Sequence, residues 1–585
     1  MTAPTATIAN LNFLFTIKNF SQDAPNPSIS ESITFDPMPR IYIFITTAFL
    51  LLVSFSLLFV RCSEASNENQ NVFFYNENNG ITSLDPAFAR DLEIMWATNQ
   101  LYDGLVEISN DLRINPCIAQ SWELSADLKT YTFHLRGDVF FHDSDAFENN
   151  VGRRVTAHDF VFSFNRILDP KVASPGAWIF SKTDRSQGSP FIAPDDSTLI
   201  IKLSAPFPPF LSILAMQYCN VVPHEAVEKY GQDFRAHPVG SGPFKFAFWF
   251  ENNALVFHKN QNFWQFDSTD RRLPYLDAIK IDFVKDPSVE YQGLLAGKYD
   301  FISGIHPSYK DELLTPNGEL SETFSSKILF YKTPFIKTDY IGFMIDPDAD
   351  VSKNSPLLKK ELRKAIECAI NKNEMVKFLR NNTVVSANQG FVPPTLLRKS
   401  ETTYNEYDLE KAKKMLTDLG FPNGKGLPEI TISTTADYTD LIEYIQFNLS
   451  KIGIKVKVEV MQGATFREAT AKGKRAAFRK SWLADYPDAE NFFNLFLQEN
   501  FCPDGPNYMH YFNQSFENLY TESLTESDDS LKYGIYQKMN ELISEDAPLI
   551  PLYYDQVAHF VSPKIKNWEI NAINMIDLKK VKKVD

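Results

Sequence analysis

The chain has 585 residues, with 58 Lys+Arg against 73 Asp+Glu and a formal net charge of −15. At 44% hydrophobic and 22% charged residues it is too apolar for a disordered chain and too charged for a polytopic membrane protein. An acidic chain is a poor candidate for nucleic-acid binding, which phosphate neutralisation drives, and five cysteines in this length are no disulfide scaffold.

The first distinct element is an apolar run. Residues 41–60 read IYIFITTAFLLLVSFSLLFV, twenty residues without a charge, between Arg40 and Arg61. That length can span a bilayer, and it also fits the core of a long signal peptide. Residues 1–37 are polar and aperiodic, whereas Met38-Pro39-Arg40 is an ordinary signal start, so translation is expected to begin at Met38. Cys62 follows at once and resembles a bacterial lipoprotein cleavage site, although Arg61 stands where a small residue is preferred. Residues 63–70 (SEASNENQ) look like a polar tether. Three readings stay open: a lipoprotein modified at Cys62, a plain N-terminal anchor, or a cleaved soluble protein. All three put the body outside the cytoplasmic membrane.

The body alternates strand and helix signals. Residues 130–136 and 198–203 are rich in β-branched and aromatic residues and predict strands. Residues 156–168 predict a helix. Thr156 and Asp159 resemble a capping box, and Phe160, Val161, Phe164, Ile167 and Leu168 share one face. Asp169-Pro170 ends it. Further helices are expected at 358–370, 372–379 and 408–419, the last closed by Gly420. A β-α-β unit follows: a strand at 429–433, a helix at 438–452 stopped by Gly453, and an alternating strand at 454–460. The mixture predicts an α/β protein of more than one lobe.

Chemistry is sparse. The sequence has no HExxH, no CxxC, no Walker loop and no nucleophile elbow. Gly240-Ser241-Gly242 lacks the pattern of a dinucleotide loop and reads as a turn. His142-Asp143-Ser144-Asp145 fails calcium-loop spacing and reads as a solvated loop. The nine histidines are scattered. These residues favour a binder over an enzyme, with no metal and no cofactor.

Several stretches resemble the extracytoplasmic solute-binding proteins of peptide ABC importers, the oligopeptide- and dipeptide-binding family. They are Ser83-Leu84-Asp85-Pro86, Gln100 to Leu105 (QLYDGL), Ala119 to Glu123 (AQSWE), Val155 to Arg166 (VTAHDFVFSFNR), Val239 to Phe244 (VGSGPF), Asn262-Phe263-Trp264, Leu273 to Asp277 (LPYLD) and Pro551-Leu552-Tyr553-Tyr554. They keep the family's order from about residue 72 to about 575. An insertion at 145–154 departs from the pattern and is expected to lengthen a surface loop. The resemblance implies a two-lobed, three-domain Venus flytrap of the periplasmic-binding-protein kind, α/β with mixed sheets. The N-terminal signals above divide off 1–37, an upstream extension or disordered leader; 38–61, signal peptide or anchor; and 62–71, tether; the resemblance implies 72–108, 232–330 and 551–585 as a discontinuous first domain, 109–231 as an inserted second domain and 331–550 as the opposing third domain. It also implies ABC permease subunits with their cytoplasmic ATPases as partners, no catalysis and a monomeric receptor.

The resemblance further implies a ligand, a short peptide. In peptide-binding members an aspartate in a Trp-x-x-Asp segment pairs with the peptide α-amine; here it is Asp485, after Trp482. Six positions earlier Arg479 matches an arginine that can reach the peptide carboxylate, a role suited to a planar guanidinium fork. If the segment is extended, Arg479, Ser481, Leu483 and Asp485 share one side. Its backbone, with that of Arg90, Asp91 and Leu92, would bind the peptide main chain as an added strand. Trp482 fits a pocket wall or the core equally well, and Asp485 before Tyr486-Pro487 also fits a turn. Other solutes (a metal chelate, haem or a sugar), an extracytoplasmic hydrolase, and a sensor, chaperone or adhesin remain as alternatives.

Overall fold

A computed structural model describes residues 71–397, 406–526 and 528–584. Met38, the apolar run at 41–60 and Cys62 lie outside the described residues. The strands that matter here are, in chain order, β1 (Val72–Asn76), β2 (Ala119–Leu124), β3 (Thr130–Leu135), β4 (Phe191–Asp195) and β5 (Thr198–Lys202). Then come β6 (Phe244–Phe250), β7 (Ala254–Lys259), β8 (Ala278–Asp282), β9 (Phe301–Ser303) and β10 (Leu329–Phe343). The last four are β11 (Ile430–Thr435), β12 (Val456–Met461), β13 (Ala477–Leu483) and β14 (Leu549–Val561).

Ten of these strands form one mixed sheet in the order β12-β11-β13-β10-β14-β9-β1-β8-β7-β6. A separate antiparallel sheet has the order β2-β3-β5-β4, and its buried residues share one apolar cluster with those of β1 and β6–β8. The architecture is the mixed α/β arrangement of several units that the sequence predicts.

Two long strands connect the halves of the large sheet. Leu329–Pro334 of β10 pairs with residues 556–561 of β14, and Thr338–Gly342 pairs with residues 549–554, with one register shift between the two stretches and a second between Asp339 and Tyr340. β9 flanks the first half through β14, and β13 flanks the second half through β10. The divisions expected at 330/331 and 550/551 therefore fall inside continuous strands. The cores follow the same split: one apolar cluster draws mainly on residues before 302 and after 560, while two others, on opposite faces of the β10–β13 half, draw mainly on residues between.

Local signals explain the elements. In the helix Ala157–Leu168, Thr156 and Asp159 form the reciprocal capping box, and Phe160, Phe164 and Ile167 are buried. Asp408 caps Leu409–Asp418 by accepting from the Lys411 amide. β11 and β12 pair in parallel around the helix Thr439–Ser450, and Gly453 takes the left-handed conformation at φ +83°. β12 starts two residues later than predicted because the Ile454 amide donates to the Leu449 carbonyl and completes the helix end. The helix expected from 358 begins at Lys360, since Ser355 caps a separate turn at Pro356–Leu358.

The 145–154 insertion is not only a surface loop. Phe147 is buried, and Arg153 forks between Asp159 (2.6 Å) and Glu225 (2.5 Å). Gly240 and Gly242 are required by proximity to the Leu101 backbone. A Cβ on Gly240 would lie 2.0 Å from the Leu101 carbonyl oxygen. Gly240→Ala should therefore cost about 1–3 kcal/mol of stability, as overpacking does. Chemical denaturation measures this, and an unchanged midpoint would contradict the close approach.

Candidate functional site

β13 runs antiparallel to β10, with Ile341 opposite Arg479, Asp339 opposite Ser481 and Lys337 opposite Leu483. The Ala484 amide donates to the Ile336 carbonyl. Alternation then turns the amides and carbonyls of Ser481 and Leu483 to the other edge. On that edge β11 pairs with β13 only at Ser433↔Phe478. A strand-shaped ligand can thus add there through main-chain hydrogen bonds. Ser481 is half-buried and Leu483 exposed.

Asp485 lies just beyond the end of β13. Its side chain is open to solvent yet crowded by protein, and the loss of bulk hydration raises its carboxyl pKa, opposed by Asn491. Buried Asn491 organises the segment. Its Oδ1 accepts from the Trp482 indole at 3.0 Å and from the Asp485 amide at 3.3 Å, and its Nδ2 faces the Asp485 carboxylate at 3.5 Å. Trp482 is half-buried against the apolar core. Among the described residues no Lys, Arg or His lies within ion-pair distance of Asp485.

Arg90 and Asp91 come within electrostatic reach of the same tyrosine as Asp485. Tyr218 has its hydroxyl pushed up to about 12 by burial first, then by Asp485 and Asp91, with Arg90 opposing. All three charges therefore lie within electrostatic reach of one phenol. Arg90 and Asp91 are exposed, and Leu92, half-buried, begins the helix Leu92–Leu101. Tyr218 packs so closely on Gly176 that a Cβ there would lie 2.4 Å from its ring. The small-sheet unit also meets the segment through Trp178, stacked on Tyr486 at 6.5 Å, and Lys182, 3.7 Å from Glu499.

Arg479 is placed differently. It is buried and ion-paired with Asp339, which is wholly inaccessible, and its guanidinium carbon lies 3.1 Å from the Tyr438 ring centroid. Burial lowers its pKa to about 10, opposed by Tyr553 and Asp555. Lys337 pairs with Asp555 at 2.7 Å and lies 3.8 Å from Asp339. The neighbouring Lys480 turns to the other face, over Tyr508 at 3.5 Å, and burial lowers it to about 8.

Sequence reasoning missed Tyr218, Asn491 and Asp339. Only Asp339 carried a signal, as a carboxylate inside the strand-like run Lys337-Thr338-Asp339-Tyr340-Ile341. The other two are distant or generic polar residues until the chain folds. Cys117, Cys219, Cys368 and Cys502 are buried and unbridged, and the described residues hold no group of three or more His, Cys, Asp or Glu placed to bind a metal.

Two units joined by paired strands are the architecture of a solute-binding protein. Residues 113–501 match the family described as bacterial extracellular solute-binding proteins, family 5 Middle, and the chain belongs to that family. It is similar to the dipeptide-binding protein DppE of Bacillus subtilis, 26% identical over 540 residues, 88% of this chain and 92% of that one. It is also similar to the heme-binding protein A of Haemophilus influenzae, 26% identical over 525 residues, 86% and 91% of the two chains. Among solved structures, the periplasmic binding protein DppA of Helicobacter pylori in complex with peptide STSA superposes with a TM-score of 0.69 at 27% identity, covering 88% and 98%. The chain is thus a transport-associated binding protein of an ABC import system, acting outside the cytoplasm, and not an enzyme.

Behind Asp485 lies a polar core that fixes it. Glu490 accepts from the Tyr486 and Tyr520 hydroxyls, while Asp488 accepts from Tyr536 at 2.9 Å and faces Lys532 at 3.3 Å. Burial raises the Glu490 carboxyl from its ordinary 4.5 to about 7, opposed by the two tyrosines. A raised folded-state pKa contributes stability that is complete below the unfolded value and lost as pH climbs through the folded one. The native protein should therefore lose a component of stability between pH 4.5 and about 7 that Glu490→Gln lacks. Denaturation midpoints of both proteins across that range check this; parallel curves would refute it.

Proposed function

We propose that the protein is a membrane-tethered receptor for short peptides with a free N-terminus, which it passes to the transmembrane subunits of an ABC importer. The tether in this reading is a lipid on Cys62 after cleavage there, or the apolar segment at 41–60 where it is retained. The observation that carries the ligand assignment is Asp485: a recessed carboxylate with no cationic partner among the described residues, beside an open strand edge. A peptide's ammonium supplies the missing charge, and its main chain completes the edge. The names of two similar proteins, a dipeptide-binding protein and one crystallised with a peptide, support this over the heme that a third is named for.

Asp485→Asn keeps the side chain's size and removes its charge. Binding of free-amine peptides should weaken by at least about 2 kcal/mol, the lower range for truncating a buried charge pair. N-acetylation of the peptide should produce a similar loss in the native protein and little further loss in the variant. Calorimetry that finds equal affinity for free and acetylated peptides would remove Asp485 from the site.

Arg479 is the cation proposed for the peptide carboxylate, and Asp339 already holds it. A carboxylate arriving there competes with Asp339. Asp339→Asn should therefore tighten binding of peptides whose length ends at Arg479 by about 1.5 kcal/mol, the lower range for a hydrogen bond to a charged group. Amidated peptides should gain nothing. A length series measured with both end groups checks this, and an equal gain for amidated peptides would dismiss Arg479.

A further inference from the structure

The C-terminal residues return to the point where the described chain begins. Asn71 donates from Nδ2 to the Tyr275 carbonyl and from its amide to Asp277, and its Oδ1 accepts from the Lys583 amide. Around it runs a row of cations. Lys566 and Lys582 stand directly opposite each other in a two-stranded ribbon. Lys582 and Arg271 both lie on the Tyr275 ring, at 4.2 and 4.6 Å from its centroid. Arg271 in turn acts electrostatically on Lys259. Asn567 donates to the Lys580 carbonyl and the Val584 amide donates to that of Lys564, which adds two more.

Arg271, Lys564, Lys566 and Lys580 are exposed, and Lys259 and Lys582 half-buried. Among the described residues none of the six has a carboxylate within ion-pair distance. Their neighbours do: Lys579 pairs with Glu107 and Asp577, and Lys583 with Asp300. Three carboxylates share this face, and the six cations outnumber them. Asp267 accepts from the Tyr275 hydroxyl, Thr269 and the Arg271 amide, Asp277 accepts from Asn71 and acts electrostatically on Lys259, and Asp270 is exposed.

Such a row is unexpected on a chain of net charge −15. Like charges directly opposite across a ribbon destabilise it, so Lys566 against Lys582 has no rationale in folding. Its place in the chain supplies one. Ten residues, 61–70, separate the apolar run at 41–60 from Asn71. They reach at most ~35 Å fully extended. The attachment point on this face can therefore lie no farther than that from whatever the apolar run enters. Surface charges are screened beyond roughly 10 Å, so only a face that can make contact gains from being basic.

We propose that this face docks on the anionic phospholipid surface in which the N-terminal anchor is inserted, orienting an otherwise acidic body. The proposal rests on the tethered reading above. Pairing one apolar anchor with a basic patch is a general route to firm membrane attachment.

The test uses the full chain on vesicles of phosphatidylcholine and on vesicles with phosphatidylglycerol added. Amine-reactive labelling of Lys566 and Lys582 is read by mass spectrometry, with exposed lysines elsewhere as internal reference. On the anionic vesicles the two lysines should label at least about fivefold more slowly, the factor for about one basic contact. High salt should abolish the difference, and the double variant Lys259→Gln, Arg271→Gln should reduce it. Equal labelling on the two vesicle types overturns the proposal, while retention on phosphatidylcholine leaves the tethered reading standing. Failure to associate with either vesicle overturns both. Protection that appears only when the permease is present also overturns it, in favour of a protein contact.

Discussion

The structure depends on one constraint: the halves of the large sheet are joined by β10 and β14, which pair with each other on both sides of a register shift. Because the same two strands belong to both hydrogen-bond ladders, each half can be internally rigid while the shift absorbs a change in angle. Few residues need alter φ and ψ for that, as in hinge closure generally. Lys337 and Asp555 pair at 2.7 Å beside the shift, which fixes the two passes laterally where the backbone ladder lapses.

The candidate site inherits its form from that joint. β13 lies next to β10 on the far half, so its open edge and Asp485 are carried by one unit. Arg90, Asp91 and Tyr218 come from residues of the other. A solute that touches both is bound best when the units are together, and it shifts the population by its differential affinity for that state. Asn491 and the Tyr486–Glu490–Tyr520 network hold the Asp485 segment from behind, so little ordering is left for the ligand to drive.

Much of the fold was legible in the sequence because its signals are local. Thr156 and Asp159 cap a helix wherever they stand, and Gly453 ends one. The alternation at Val456, Val458 and Val460 needs no tertiary context. The missed features are those created by juxtaposition. Asp339 meets Arg479 only through the β10–β13 register, and Tyr218 reaches Asp485 only when separate units meet. The basic row shows the same limit: an acidic composition concealed it, because Lys259, Arg271 and Lys566 are remote in sequence and are gathered around Asn71 by the ribbon and the Tyr275 ring.

Asp339 and Asp485 contrast in a way that bears on the cleft's charge. Both are carboxylates near β13, but Asp339 is fully buried with a cation in place, while Asp485 is recessed without one. Crowding raises the pKa of Asp485 in the empty protein, so part of the cost of ionising it is carried before any solute arrives. An ammonium group reverses that bias, because a nearby positive charge favours the ionised form. Binding of a free-amine solute is then linked to release of the proton that the empty site retains as the pH falls toward the raised pKa, and affinity falls with it. An arginine or lysine built in beside Asp485 would remove this linkage and also fill the position the solute is proposed to take, as Asp339 does for Arg479. On the proposed reading, the unpaired state of Asp485 is a cost that the folded protein bears in exchange for selectivity, and the buried Arg479–Asp339 pair, already neutral, leaves the positive end of the solute as the charge to be read.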